Sequence, residues 1–309
     1  MDERGGEEED AVTDGYVLVT IAYNEEERIR EVLDSVIRQQ VRPVLWVIIS
    51  DGSTDSTDDL VRKAAAEHPF IRFFRQEKKR NETGRLDMVT SAKSRGWATA
   101  LTILKNVPHE YLGNLDADVI FGPEYYREVL LRMEAHPAVG LGGGGCYNLG
   151  EDGQPSGDGF IKPYFVGGPV QFFRRRCFEE IGGYSSSGHD DVVAVAKARM
   201  KGWEVRCWPE VKAYHYSDTF PRMRDKIAVC FRMGQMDYIM GGTLGFQIAR
   251  TIDGILRPPF LPGPAFLVGW IRAWLDRRPI ALTPDLVRYM RWEQRRKFLA
   301  RLSGRPFTG

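Results

Sequence analysis

The chain is 309 residues long, 43% hydrophobic and 28% charged, with a formal net charge of +1. That balance excludes general disorder and supplies enough apolar residue for one sizeable core plus an appendage. It lacks the basic excess of a protein dedicated to DNA or RNA, so no nucleic-acid partner is expected.

The charge is unevenly spread. Glu7, Glu8, Glu9 and Asp10 open the chain, whereas Arg277, Arg278, Arg288, Arg291, Arg295, Arg296, Lys297, Arg301 and Arg305 crowd its end. Such a split points to an anionic surface as a partner. Cys146, Cys177, Cys207 and Cys230 show no CxxC spacing and sit in apolar stretches. They read as small buried hydrophobes in a reducing compartment, not as a disulfide frame or a zinc site. No basic-then-apolar leader is seen, and no uninterrupted apolar run reaches the length of a membrane span. A cytoplasmic protein is expected, peripheral on the inner face of the membrane if the basic end binds lipid.

Residues 1–14 are acidic and aperiodic, and read as a disordered tail. Tyr16 to Ile21 is a short, β-branched apolar run, expected to be a buried strand. Asn24 reads as a helix cap with Glu27 as its capping-box partner. Behind it Ile29, Val32, Leu33, Val36 and Ile37 follow helical spacing. Val44 to Ile49 is the next strand. Two buried strands joined by a helix make a parallel βαβ unit. A second helix is expected after Asp55, a third strand at Ile71 to Phe74, and a loop over residues 75–90. Next come a helix over Ser94 to Lys105, a strand over Tyr111 to Leu115, a helix opened by Pro123, and a Gly-rich stretch from Val139 to Gly145.

The character changes near residue 218. Arg224 to Tyr238 reads as a helix, Pro258, Pro259, Pro262 and Pro264 break the chain, and Ala265 to Leu275 is strongly apolar despite Arg272. Leu282 to Leu302 is a basic, amphipathic helix pattern. Residues 15–217 are thus expected to form an α/β domain, a mostly parallel sheet flanked by helices. Residues 218–309 form a C-terminal helical extension. Trp270 and Trp274 with nearby arginines suit a helix lying in a bilayer interface, and the basic helix suits anionic lipid. The plainer alternative is a helical subdomain packed on the catalytic core.

Carboxylates fall where strands end. Asp51 follows the second strand within Ser50-Asp51-Gly52-Ser53-Thr54-Asp55, and Asp116 and Asp118 follow Leu115. Ligands in open α/β sheets bind beyond the carboxyl ends of parallel strands, so these groups should meet at one rim. An Asp-X-Asp pair suits a hard divalent cation that takes a substrate diphosphate as its remaining ligands. Alone, each aspartate would be read as a turn or helix cap.

Together with Tyr23-Asn24-Glu25-Glu26 after the first strand, these segments resemble the family 2 glycosyltransferases. The resemblance continues through Gly182-Gly183-Tyr184, His189-Asp190-Asp191 before a helix ending at Gly202, and His215 after a short strand. It runs over about residues 16–216, in the family's order. It implies a GT-A, Rossmann-like fold and transfer from a nucleoside diphosphate sugar to a hydroxyl. The acceptor would be a glycan or a lipid-linked molecule.

By the same resemblance, Asp51 would accept a hydrogen bond from the nucleotide base, with Tyr23, Asn24 and Glu25 lining that pocket. Asp116 would reach the ribose or the metal shell, and Asp190 would join the nucleotide-sugar site. Asp118 would bind Mn2+ or Mg2+ with the diphosphate, and His215 would be a further metal ligand. Asp191 would be the general base. One base and no nucleophilic side chain imply inversion at the anomeric carbon. Ser50, Asp190 and Val193 stand where the family more often has acidic, Glu and Asp residues.

Gly167-Gly168-Pro169 is either a plain turn or acceptor-side backbone, and Trp203 and Trp208 read as packing. Two rivals remain: a polyprenyl-phosphate glycosyltransferase, and a non-catalytic nucleotide-sugar-binding scaffold. A nucleotidyltransferase is disfavoured, because the acidic Tyr23-Asn24-Glu25-Glu26 stands where a Gly-rich, basic phosphate loop would be needed.

Overall fold

A computed structural model describes residues 15–77, 92–149, 154, 161–185, 189–216, 223–256, 260 and 262–303. The acidic tail, most of the 75–90 loop and the boundary near residue 218 lie outside the described residues.

Strand β1 (Tyr16–Ala22) sits between β2 (Leu45–Ser50) and β4 (Tyr111–Asn114), and β3 (Ile71–Arg75) flanks β2; all three pairings are parallel. Strands β1 and β2 are buried along nearly their whole length and read as continuous apolar runs without alternation, whereas the edge strand β3 is buried only at Ile71. Val17, Leu18, Val19, Val47, Ile48 and Ile49 are fully buried. The crossovers are α1 (Ile29–Ile37), α2 (Thr57–Glu67) and α3 (Ala92–Leu104). Ile29, Val32, Leu33 and Val36 of α1 are buried as their spacing requires.

Beyond β4 the sheet becomes mixed. Its order is β3-β2-β1-β4-β7-β6-β8-β5, where β5 is Val119–Phe121, β6 Val139–Asn148, β7 Phe172–Arg174 and β8 Glu204–His215. Helix α4 (Tyr125–Ala135) links β5 to β6. Helices α5 (Arg175–Glu180) and α6 (Asp190–Met200) precede β8. The glycines of β6 make room for bulk: a Cβ on Gly142 would sit 2.7 Å from the Trp208 ring, and one on Gly144 would sit 2.1 Å from the Val211 carbonyl oxygen. Trp208 is packing, as expected.

Two expectations are corrected. Asn24 caps no helix; α1 begins at Ile29 behind Arg28, without a side-chain cap. Instead Asn24 takes a left-handed backbone, φ 55°, and its side-chain oxygen accepts from the Thr54 N–H at 2.8 Å. Likewise His215 does not follow a short strand but ends the twelve-residue β8.

The C-terminal helices are α7 (Met223–Ile239), α8 (Leu244–Ile255), α9 (Pro262–Leu275) and α10 (Pro284–Leu302). Helices α7 and α9 approach backbone to backbone at Gly234 and Gly269: a Cβ at either would lie 2.0 Å from a carbonyl oxygen of the other helix. The extension joins the α/β part through α6, where Val193 and Ala196 pack with Met240, Leu282, Leu286 and Val287. A buried ion pair, Arg199 of α6 with Glu293 of α10, lies beside this contact. Among the described residues no helix is long and apolar enough to cross a membrane.

Candidate active site

The loops after β1 and β2 are laced together. The Asn24 N–H donates to Ser53 Oγ at 3.2 Å, the Glu25 N–H to Thr57 Oγ1 at 2.7 Å and the Glu26 N–H to Asp55 Oδ2 at 3.2 Å. The Ser56 N–H returns a bond to Glu26 Oε2 at 2.9 Å. Asp51, at the end of β2, is buried. It accepts from Arg95 of α3 at 3.0 and 3.2 Å and from Gln76 at 2.9 Å. A buried carboxylate needs such partners; here they also fix the direction in which its remaining lone pair points.

The metal-site candidates meet through a β-ladder. Strands β5 and β8 are antiparallel with Val119 opposite His215, and the Tyr216 N–H donates to the Asp118 carbonyl at 2.9 Å. That register sets Asp118 diagonally beside His215, and His215 Nε2 lies 3.0 Å from Asp118 Oδ2. The hydrogen bond to Asp118 raises the His215 pKa, against the opposing effect of burial. Burial, reinforced by the charges of Asp118, Asp55 and Asp116, pushes the Glu25 carboxyl from 4.5 up to about 7. The rim is therefore an acidic basin that a bound cation would relieve.

Among the described residues no group of three His, Cys, Asp or Glu side chains is arranged to hold a metal ion. Asp118 and His215 offer one oxygen and one nitrogen donor 3.0 Å apart. That set fits Mn2+ or Mg2+ only if diphosphate oxygens or water complete the shell.

On the other side of Asp116, the segment Gly167-Gly168-Pro169 is more than a turn. Gly168 to Val170 form a short 3-10 helix clipped onto the end of β4. Asn114 Nδ2 donates to the Gly168 carbonyl at 2.7 Å and to Asp116 Oδ1 at 2.9 Å. The Asp116 N–H donates to Pro169 O at 3.1 Å. Lys93 Nζ donates to the same Gly168 carbonyl at 3.2 Å and lies 3.9 Å from Asp116 Oδ1.

Asp191 faces this segment from the first turn of α6. A Cβ on Gly168 would lie 3.0 Å from the Asp191 Cβ and 3.1 Å from its Oδ2. His189 precedes it in a left-handed backbone, φ 47°, and the helix N-terminus favours its negative charge. Gln171, fully buried, donates to the Asp191 carbonyl at 3.1 Å and accepts from Tyr184 at 2.8 Å. Asp190 is buried whereas Asp191 is only half-buried, which leaves Asp191 the better placed of the two to meet an acceptor.

Glu25, Asp116, Asp118 and His215 thus share one electrostatic cluster. Asp191 adjoins it through Gly168. Asp51, at the end of β2, is buried and held by Arg95 and Gln76, and Tyr23 is exposed. The residues that tie these parts together, Gln76, Lys93, Arg95, Asn114 and Gln171, were not singled out from the sequence. A signal existed for Asn114, a polar residue in an apolar strand.

The fold is that of the GT-A glycosyltransferases. Similar solved structures include a mannosyltransferase of Pyrobaculum calidifontis in complex with GDP-Man and Mn2+, with TM-score 0.53 and 19% identity, over 93% of this chain and 80% of that one. Staphylococcus aureus TarS 1-349 in complex with UDP-GlcNAc matches with TM-score 0.53 and 16% identity, over 95% of this chain and 93% of that one. At such identities they speak for the fold alone. The model described as Glycosyl transferase family 2 matches residues 17–179, more than half of the chain, and the protein belongs to that family. A curated relative, poly-beta-1,6-N-acetyl-D-glucosamine synthase of Staphylococcus aureus, is 27% identical over 128 residues. The matched segment covers 41% of this chain and 27% of the synthase.

Proposed function

We propose that the protein is an inverting glycosyltransferase that moves a sugar from a nucleoside diphosphate sugar to a hydroxyl acceptor, in the synthesis of a cell-surface polysaccharide or glycolipid. The observation that carries this reading is the placement of Asp191 against Gly168, whose carbonyl is held by Asn114 and Lys93 beside Asp116. That proximity supports a general base beside the rim that, in this reading, takes the diphosphate.

In this reading Asp51 orients the nucleotide base, with Tyr23, Asn24 and Glu25 about it. Asp116 and Asp190 complete the donor site. Asp118 and His215 would hold Mn2+ or Mg2+, which when bound neutralises charge developing on the departing diphosphate. Asp191 takes the proton of the acceptor hydroxyl as the new bond forms. The acceptor oxygen attacks the anomeric carbon from the side opposite the diphosphate, so the configuration inverts. The relative's synthesis of an N-acetylglucosamine polymer supports a glycan acceptor. The basic C-terminal helices favour a lipid-linked one, including a polyprenyl phosphate. The four cysteines are free, and burial pushes Cys146, Cys177 and Cys207 up to about 12, which supports unreactive thiols in a cytoplasmic setting.

A thermal-shift panel of UDP, GDP, dTDP and CMP, each with and without Mn2+, tests the donor site. One nucleoside diphosphate should stabilise the protein only with metal, by about 2.7 kcal/mol at a hundredfold excess over Kd. A folded sample indifferent to every nucleotide would remove the donor site from this reading.

A further inference from the structure

Helix α8 is built inside out. Its polar residues Gln247 and Thr251 are buried, at 0% and 7% exposure, while Ile248, Ile252, Ile255 and Leu256 just beyond its end stand 44%, 54%, 48% and 74% exposed. Gln247 bonds to the buried Asp237 of α7, and Thr251 Oγ1 donates to the Gly263 carbonyl of α9 at 3.2 Å. With Leu244 the outward row follows i, i+4, i+8, i+11, i+12, one continuous helical stripe. Water would select the opposite orientation, since each fully exposed Ile forfeits roughly 1.5–3 kcal/mol of burial.

The bias is regional. Of the large apolar residues exposed among the described residues, thirteen lie between Val229 and Ile280, and only five precede residue 216. The neighbouring helices α7 and α9 approach through Gly234 and Gly269, and α8 meets α9 where Gly254 and Gly263 face each other. Such contacts through small residues hold helices together where lipid removes the hydrophobic drive between them. The surrounding sequence, residues 222–309, carries sixteen basic and six acidic side chains.

We propose that the outward row of α8, Leu244, Ile248, Ile252, Ile255 and Leu256, docks into the surface of an anionic lipid bilayer. The helix lies in the interface plane, with its apolar row among the acyl chains and the arginines of the extension, including the exposed Arg232, Arg272 and Arg277, supplying attraction to the headgroups. A bilayer fits better than a protein partner because the charge excess is spread over the whole extension and matches an extended anionic surface. The face is independent of the proposed chemistry, so it is tested without donor or turnover.

Full-length protein is sedimented with vesicles of phosphatidylcholine, and of phosphatidylcholine with 30% phosphatidylglycerol. Binding to the anionic vesicles is expected, weakening at high salt. Ile248→Asp with Ile252→Asp should cut it at least tenfold, and Arg277→Gln by about fivefold, with the melting temperature of each variant unchanged. Because the two isoleucines make little use of the core, these variants fold. Equal sedimentation of wild type and the double variant would overturn the proposal. So would a concentration-dependent dimer in analytical ultracentrifugation that the double variant abolishes, since that assigns the face to a second copy of the chain.

Discussion

Strand β2 and helix α8 treat the same residue type in opposite ways. Ile48 and Ile49 of β2 are wholly buried between α/β layers, whereas Ile252 of α8 is more than half exposed above a buried Gln247. The α/β part closes its own core. The extension settles its polar groups first and leaves apolar surface outside. Two parts of one chain thus distribute the same residue type differently, and the apolar row left outside on α8 is what the proposed lipid docking would cover.

The largest effect expected is on chemistry in the α/β part. Asp191→Asn should lower transfer by about a thousandfold while leaving donor binding and the melting temperature in place, because Asp191 is half-buried and its backbone carbonyl keeps the Gln171 bond. Full activity in this variant would unseat Asp191 as the base. The contrast between the two regions is sharpened by a pair of truncations read in aqueous buffer. Ile48→Ala should cost about 4 kcal/mol in chemical denaturation, and Ile252→Ala less than about 0.5 kcal/mol. Comparable losses would mean that α8 packs in a way its exposure denies.

Gly168→Ala is a smaller perturbation. The added methyl would press on Asp191 at 3.0–3.1 Å, and a shift of a few tenths of an ångström at a reacting group should lower kcat by about tenfold with little change in KM. A fall in KM-linked binding alone would place Gly168 in the donor site instead. The smallest effect concerns Glu25. Its carboxyl is raised in the fold, from 4.5 to about 7. A group of this kind favours the fold fully below its unfolded value, and that contribution is lost as pH rises through the folded one. Ligand-free Glu25→Gln should therefore melt higher than wild type at pH 8, by about 1 kcal/mol after solvent screening, and equally at pH 4. A gap that widens toward acid would reverse the assignment.

Much of this was legible in the chain. The runs Tyr16 to Ile21 and Val44 to Ile49 are continuous enough for strands buried on both faces, and the spacing of Ile29 to Ile37 gives the helix between them one buried face, which together made the βαβ unit legible. The aspartates could be placed at a rim because each follows such a run. Less legible was what depends on partners far along the chain. Asn24 followed by Glu27 matches a capping box, yet the cap is spent thirty residues away on Thr54. Strand β5 is three residues long and is defined only by its pairing with β8, so no local pattern announces it. Lys93 and Asn114 become site residues through Gly168, which is 75 and 54 positions away. Helix α8 hid for a different reason: its apolar spacing is regular, but Gly245 and Gly254 dilute it and nothing in the spacing tells which side faces out.

The lacing between the β1 and β2 loops has a consequence for anyone who would exchange either loop. Six bonds join Asn24, Glu25 and Glu26 to Ser53, Thr54, Asp55, Ser56 and Thr57, so neither loop owns its own conformation. A graft of one loop from another transferase would arrive with donors and acceptors aimed at the wrong partner. The transferable unit is the pair, residues 23–26 together with 50–57, and in descent as in engineering the two should change as one.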